Sequence, residues 1–222
     1  MQTDTFQRFH FVFDEVQPGF EEILSFLKSD NSDAANPVNA AIREIMPLLA
    51  DNDGITGGYI LRKAGEVRLH TGAQIRGYMK GADYLALFTC TAGKLFTDLT
   101  GRYSEKGDYL EAFITDAIGS ITVEKAMNKI QAQLELAMQA EGLQISNRYS
   151  PGYCDWPVSS QRELFDQMGE LPVAISLTDS CLMLPIKSVS GIIGVGMHIR
   201  KRPYACQICK LKDCTYRKLI QL

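Results

Sequence analysis

The sequence lacks three features that define large classes of proteins. No apolar run reaches the roughly 18 residues that a helix needs to cross a bilayer, so a membrane protein is not indicated. Residues 1–13, MQTDTFQRFHFVF, show no charged region followed by an apolar one, so a secretory signal is not indicated either. Basic residues are not in excess, because the net charge is −3 and the pI about 5.7. That balance argues against nonspecific binding to nucleic acid. We therefore expect a cytoplasmic protein whose partners are neither membranes nor nucleic acids.

What the sequence does have is the composition of an ordinary globular protein. Its 222 residues are 45% hydrophobic and 22% charged, which is enough apolar material for one substantial core or two small ones. Six cysteines stand at irregular spacing without an export signal. In that context we expect reduced thiols or metal ligands rather than a disulfide framework.

Hydrophobic periodicity predicts strands and helices that do not alternate regularly along the chain. Strands are indicated at residues 9–13, 55–61, 67–69, 84–90, 143–149, 173–177 and 188–195. A turn with Gly at 63–66 predicts a hairpin between the second and third of these strands, and the fourth, apolar on both faces, should be central. Helices are predicted to begin near residues 19, 37, 108 and 159, and the longest should end at Gly142. Helices gathered around an antiparallel sheet in this manner indicate an α+β fold.

Two of these helices carry an apolar stripe that is expected to face the core. The stripes, at spacings of three and four residues, are Ala41, Ile42, Ile45, Leu48 and Leu49 in the first helix and Leu110, Phe113, Ile114, Ala117, Ile118 and Ile121 in the second. Asp116 and Glu124 lie on the second, longest helix. A solvated helix face is the more frequent place for such carboxylates, although either could instead approach a ligand cavity.

The segment from Asn147 to Gln161, NRYSPGYCDWPVSSQ, is where function is expected. Pro151 and Gly152 predict a turn, because Pro fixes φ near −65° and Gly accepts a positive φ, and we expect backbone amides around the turn to be free. Arg148 precedes the turn, and its planar guanidinium suits a carboxylate or phosphate. The arrangement fits an anionic small ligand. The alternative is a surface arginine beside an ordinary loop whose Tyr153 and Trp156 pack on the core.

Two motifs resemble one known family. Arg148-x-x-Pro151-Gly152-Tyr153, followed by Pro157, is similar to the signature of the S-adenosylmethionine-binding activation domain of vitamin B12-dependent methionine synthase. Residues 177–191, LTDSCLMLPIKSVSG, are similar to a second block of that family, in the same order and at a similar separation. The resemblance extends from about residue 110 to residue 191. The version with Ser-Pro-Gly-Tyr-Cys and Trp-Pro looks closest to short, free-standing members that lack the catalytic modules.

The resemblance implies a fold, a ligand and partners. The fold would be a single domain with a twisted antiparallel sheet, here residues 1–205. The ligand would be S-adenosylmethionine, with Arg148 binding its carboxylate. A family acidic residue that contacts the ligand from the N-terminal side has no match in this sequence. Other residues implied to bind the ligand are Ser150, Pro151, Gly152, Tyr153, Thr178, Asp179 and Ser180.

In the family, the domain delivers a methyl group to cobalamin in the cob(II) state while a flavodoxin-type protein supplies an electron. The resemblance therefore implies a corrinoid methyltransferase and a flavodoxin- or ferredoxin-type reductant as partners. Because 222 residues leave no room for a cobalamin-binding module, we expect cobalamin to arrive on the partner. The ligand's sulfonium could contact the ring of Tyr153. The surface around Tyr153 and Trp156 is the expected docking face for the partner.

The C-terminal segment 206–222 is a separate feature, for which the resemblance gives no guidance. Cys206, Cys209 and Cys214 place three thiols within nine residues, a spacing that could hold zinc or an iron-sulfur cluster. A closed site needs a fourth ligand, which Cys154, Cys181 or Cys90 could supply. The same spacing also fits a terminal helix with an apolar side, so both interpretations stay open.

Three hypotheses about function follow. The chain is a reactivation partner of a corrinoid methyltransferase, a metal or redox module that works through its C-terminal cysteines, or an interaction protein that keeps the fold without chemistry. Both motif blocks favour the first hypothesis, in which the chain itself needs no catalytic side chain.

Overall fold

A five-stranded antiparallel sheet is the centre of the molecule. The structure, a computed structural model, describes residues 3–28, 36–52, 54–170 and 172–202. Within them the strands follow the spatial order β1-β2-β3-β7-β4, and a separate two-stranded ribbon pairs β5 with β6. Their bounds are β1 Phe6–Phe11, β2 Ile55–Lys63, β3 Tyr84–Thr91, β4 Gln144–Tyr149, β5 Ser176–Leu177, β6 Met183–Leu184 and β7 Ser188–Gly196. This architecture confirms the α+β class, and β3 is central as predicted.

Seven α-helices and one short 3-10 helix connect the strands in the described residues. Their bounds are α1 Phe13–Val16, α2 Phe20–Leu27, α3 Pro37–Leu49, α4 Ala73–Tyr78, α5 Lys94–Lys106, α6 Tyr109–Ala140 and α7 Gln161–Met168, with the 3-10 turn at Val158–Ser160. Helix α3 begins where expected, because Pro37 occupies its first turn and the Asn36 side chain accepts a hydrogen bond from the backbone N–H of Val38 at 2.9 Å. None of these helices is both long enough and apolar enough to cross a bilayer.

The sheet has apolar side chains on both faces, because successive residues of a strand point in opposite directions. On β3, Phe88 belongs to the larger core, which includes the buried side of α6, whereas Leu87 belongs to a smaller core that includes residues of α4 and α7. On β7, Ile193 and Ile192 divide between the two cores in the same way. The two cores therefore pack on opposite faces of the same sheet.

The predicted hairpin is wrong. A turn does form, since the N–H of Glu66 donates to the carbonyl of Lys63 at 3.0 Å, but residues 67–69 are not a strand. Both edges of β2 are already paired, one with β1 and the other with β3, so no edge remains for a third partner.

Other predicted bounds and stripes are also corrected. The first strand runs from Phe6 to Phe11, and residues 173–177 contribute only the two-residue strand β5. Leu48 and Phe113, placed in the core-facing stripes, are 50% and 59% exposed. The other stripe positions of α3 are buried, so the apolar face is narrower than the spacing predicts.

Candidate functional site

The turn after β4 closes on itself. Gly152 has φ of +96°, which favours glycine, and its N–H donates to the carbonyl of Trp156 at 2.7 Å. The N–H groups of Tyr153 and Trp156 donate within the same loop, to Ser150 at 3.3 Å and to Tyr153 at 2.9 Å. The sequence correctly predicts a turn, but the expectation that its amides are free is wrong for these three residues.

Arg148 points from β4 towards α6, where its guanidinium meets two side chains one helical turn apart. Its Nη2 donates to Glu124 Oε2 at 3.0 Å and to Asn128 Oδ1 at 2.8 Å. Its Nη1 is buried and has no hydrogen-bond partner among the described residues. A buried charged donor without an acceptor is costly, so this nitrogen has the capacity to bind an anion.

A cavity of about 180 Å³ lies beside this guanidinium. Residues of β3, α6, β4 and the turn after it, the start of α7, and the segment from β6 to β7 contribute to it. Its lining consists of Phe88, Glu124, Met127, Arg148, Ser150, Pro151, Tyr153, Gln161, Met183, Ser188, Val189 and Ser190. The two motif blocks thus meet at one cavity, although they are separated along the chain.

One wall of the cavity is polar and internally bonded. Gln161 is buried and its Nε2 donates to the hydroxyl of Ser190, which is also buried. Ser188 donates through its hydroxyl to the carbonyl of Pro185 at 2.6 Å. These polar groups have partners within the protein, and the charged side chains among the lining residues are Glu124 and Arg148.

The two aromatic residues of the turn have different environments. Tyr153 is 60% exposed and lines the cavity, whereas Trp156 is only 1% exposed and packs in the smaller core. Trp156 Nε1 is buried without a hydrogen-bond partner in the described part of the chain. Trp156 therefore belongs to the core, as the alternative interpretation of this turn had it, and cannot form part of an exposed docking face.

Thr178, Asp179 and Ser180 lie in the turn of the β5–β6 ribbon. The hydroxyls of Thr178 and Ser180 are 2.9 Å apart, and Thr178 Oγ1 also accepts from the N–H of Leu182 at 3.0 Å. The carbonyl of Asp179 accepts from Arg162 at 3.4 Å. These residues shape the ribbon beside the cavity and are not part of its lining.

Cys206, Cys209 and Cys214, the predicted metal ligands, lie outside the described residues, as does the boundary at 205/206. Among the residues that the structure describes, no group of three or more His, Cys, Asp or Glu side chains is arranged to hold a metal ion. Cys90 is fully buried, and burial raises the pKa of its thiol to about 12, which makes it a poor candidate for the fourth ligand.

Sequence reasoning did not identify several residues of this cavity. The sequence favours a solvated helix face for Glu124, which instead lines the cavity. Asn128 was missed, although it stands four residues after Glu124 and therefore on the same side of the helix. Gln161 enters the sequence analysis only as the last residue of the segment 147–161, and nothing in its local pattern distinguishes a cavity wall from a helix surface.

The chain belongs to the family described as vitamin B12 dependent methionine synthase, activation domain, because its sequence matches that family model over residues 74–215. Its fold is similar to that of a solved structure titled "Crystal Structure of the MetH Reactivation Domain bound to AdoHcy", with a TM-score of 0.60 and 14% identity. The similarity covers 91% of this chain and 81% of that chain. No curated protein matches the chain closely enough to count as a relative.

Proposed function

We propose that the chain binds S-adenosylmethionine in the Arg148 cavity and acts as the reactivation partner of a cobalamin-dependent methionine synthase or another corrinoid methyltransferase. One electron from a flavodoxin- or ferredoxin-type reductant would convert the partner's cob(II)alamin into the nucleophile. The methyl group would then pass from the sulfonium to cobalt, and S-adenosylhomocysteine would leave. The chain's own contribution is to bind the ligand, orient it and exclude water.

The observation that carries this proposal is the buried, unpartnered Nη1 of Arg148. Nη2 is held by Glu124 and Asn128, so the guanidinium is fixed in orientation while one donor stays available. A ligand carboxylate at Nη1 would receive a charge-assisted hydrogen bond worth roughly 1.5–3 kcal/mol. Family membership and the likeness to a structure bound to AdoHcy point to the same class of ligand.

The content of the described residues supports a partner that carries cobalamin. The described residues build the sheet and the helices around it, which leaves none of them for a cobalamin-binding module. The proposal therefore places the methyl acceptor outside this part of the chain.

The docking face that we propose is an apolar rim near the cavity. We define the rim as Tyr153, Leu182, Leu184 and Ile186, whose exposed fractions are 60%, 60%, 43% and 59%. Tyr153 lines the cavity, and Leu182 and Leu184 flank Met183, which also lines it. Exposed apolar side chains are typical of protein interaction surfaces where they form a contiguous patch. A corrinoid protein seated here would bring its cofactor close to a ligand in the cavity.

The test combines the chain with S-adenosylmethionine, a low-potential reductant and a methyltransferase loaded with cob(II)alamin. We expect methylcobalamin, measured by its visible spectrum, only when all components are present, and we expect the Arg148→Ala variant to abolish it. Absence of ligand binding by calorimetry would reject the ligand assignment. Binding without methylcobalamin, across several corrinoid proteins, would instead reject the partner role.

The metal or redox module remains the alternative proposal. It would use Cys206, Cys209 and Cys214 with zinc or an iron-sulfur cluster, and metal analysis of anaerobically purified protein distinguishes it from the reactivation role. The interaction protein without chemistry is disfavoured by Arg148, whose buried donor would then have no ligand to bind.

A further inference from the structure

We propose that Arg202 is a positioning residue for the ligand cavity: with Asn147 it holds the part of β4 from which Arg148 extends. Arg202 thereby couples the segment that follows β7 to ligand binding. The proposal rests on the ligand assignment of the proposed function and adds residues that maintain the site from outside. Arg202 does not line the cavity. It acts through Asn147 and Tyr149, the two residues of β4 that flank Arg148.

Strand β4 needs support at this point because its pairing with β7 is irregular. The register shifts between Ile145 and Arg148, so the two residues between them lie in a bulge. One of them, Ser146, contacts β7 through its side chain, since its hydroxyl oxygen accepts from the N–H of Gly194 at 2.9 Å. A bulge interrupts the regular ladder of backbone bonds, so the position of Arg148 depends on side-chain contacts of this kind.

Asn147, the other residue of the bulge, bonds the main chain of Arg202 through its side chain. Its Oδ1 accepts from the N–H of Arg202 at 2.8 Å, and its Nδ2 donates to the carbonyl of Arg202 at 3.1 Å. Because β4 is an edge strand of the five-stranded sheet, these two bonds supply contacts that a further strand would otherwise give. A side chain bonded through both of its polar atoms has little freedom to rotate, so it fixes the bulge.

Arg202 also supports the residue that follows Arg148. The guanidinium carbon of Arg202 lies 4.9 Å from the centroid of the Tyr78 ring, and Tyr78 stacks on Tyr149 with ring centroids 5.3 Å apart. The hydroxyl of Tyr78 accepts from Gln74 Nε2 at 2.7 Å, which fixes this ring within α4. We call the contacts of Arg202 with Asn147 and with the Tyr78–Tyr149 stack the clasp. Both neighbours of Arg148 along β4 therefore depend on the clasp.

The bonds of Arg148 make the cavity sensitive to small movements of β4. Nη2 donates to Glu124 at 3.0 Å and to Asn128 at 2.8 Å, while Nη1 stays buried without a partner among the described residues. Hydrogen bonds weaken steeply when their distances and angles depart from such values. If β4 could move at the bulge, the guanidinium would occupy several positions, and a ligand would have to order it on binding. Affinity would fall because the site is less preorganised.

A clasp that only covers the edge of β4 makes different predictions. In that case its loss would loosen residues 200–202 and leave ligand affinity unchanged, and a bound ligand would have no effect on these residues. If the clasp positions Arg148, the coupling is reciprocal, because two linked equilibria change each other by the same factor. A bound ligand should then hold residues 200–202 more firmly.

The first experiment is isothermal titration calorimetry on the full chain with S-adenosylmethionine. We expect Asn147→Ala to weaken binding about tenfold, and Arg202→Ala about threefold because its main-chain bonds to Asn147 remain. Lys201→Ala is the matched control: Lys201 precedes Arg202, but its ion pair at 2.6 Å is with Glu135 of α6. The control should bind within about twofold of wild type, as for loss of a surface ion pair. An unchanged affinity in Asn147→Ala would overturn the inference.

The second experiment uses the wild-type chain and does not depend on the folding of a variant. Trypsin cleaves after basic residues, and Arg200 and Lys201 are exposed. We expect saturating S-adenosylmethionine to slow cleavage at these two positions at least about threefold, measured by mass spectrometry. Cleavage after Lys106, which is exposed at the end of α5, is the internal control and should not change.

The outcomes separate the inference from the proposed function. If calorimetry shows that the wild-type chain binds S-adenosylmethionine but the ligand leaves cleavage after Arg200 and Lys201 unchanged, the coupling is wrong and the ligand assignment stands. Equal slowing after Lys106 would also overturn the coupling, because it would indicate a general stabilisation of the fold. A wild-type chain that does not bind S-adenosylmethionine would reject the proposed function, and the inference with it.

Discussion

Replacing Arg148 by alanine should separate ligand binding from stability. The Arg148 side chain is 22% exposed and that of its partner Glu124 is 41% exposed, so solvent screens the pair and its loss should cost no more than about 1 kcal/mol. The same substitution removes the buried Nη1, which is itself unfavourable in the unliganded protein. We therefore expect the free energy of unfolding to change by less than about 2 kcal/mol, measured by denaturant titration.

Ligand affinity should respond much more strongly to the same change. Loss of a charge-assisted contact of roughly 1.5–3 kcal/mol corresponds to a dissociation constant about 10- to 150-fold higher for S-adenosylmethionine. Arg148→Lys should restore little, because an ammonium group cannot hold Glu124 and a carboxylate in one plane. Calorimetry measures both variants. Arg162→Ala is the matched control, since that guanidinium contacts the β5–β6 ribbon outside the cavity. Affinity within twofold of wild type in Arg148→Ala would refute the assignment of the cavity.

Three further predictions concern the rest of the chain. Gly191→Ala should destabilise the protein by about 3 kcal/mol or prevent folding, because the added Cβ would stand 2.1 Å from a β4 carbonyl oxygen, and chemical denaturation with a solubility assay will measure this. A double serine variant of Cys206 and Cys209 should fold and still bind S-adenosylmethionine; loss of folding together with bound zinc or iron would indicate a structural metal instead. Hydrogen bonds from the backbone and ring of His70 lower the pKa of the Glu163 carboxyl from its ordinary value of 4.5. The stabilisation that these bonds give the folded protein is therefore present above pH 4.5 and is lost as the pH falls through the lowered pKa. Glu163→Gln should therefore lower the melting temperature slightly at pH 7 and not at pH 3, and an equal difference at both values would contradict this.

The fold was predictable where local patterns agree with tertiary contacts. The α6 spacing and the Pro–Gly turn depend on nearest neighbours, and both elements are present where the sequence places them. The hairpin at 63–66 was not predictable in this way, because whether β2 has an available edge depends on β1 and β3, which are distant in sequence. Strand pairing is a property of the whole sheet.

The candidate site was predictable only in part. Residue types alone indicate Arg148 and the turn that follows it, because a guanidinium and a Pro–Gly pair each have a specific chemistry. They do not indicate the burial of Trp156, since the residue pattern beside a turn does not distinguish an aromatic side chain that packs inwards from one that points outwards. Its burial depends on the smaller core formed with α7.

The orientation of Arg148 explains why the site could not be derived from strand periodicity. Ile145 and Arg148 are three residues apart, so a regular strand would place them on opposite faces of the sheet. The pairing of β4 with β7 shifts register between these two residues: Ile145 pairs with Val195, whereas Arg148 pairs with Ile193, so β4 contains one extra residue. A bulge of this kind redirects the side chains that follow it, and here it turns Arg148 towards α6 and Glu124. Without the bulge the guanidinium would point to the smaller core on the other face, away from α6. The charged pair in the cavity therefore depends on the bulge in β4. The two-residue periodicity of a strand does not predict such a bulge from the sequence.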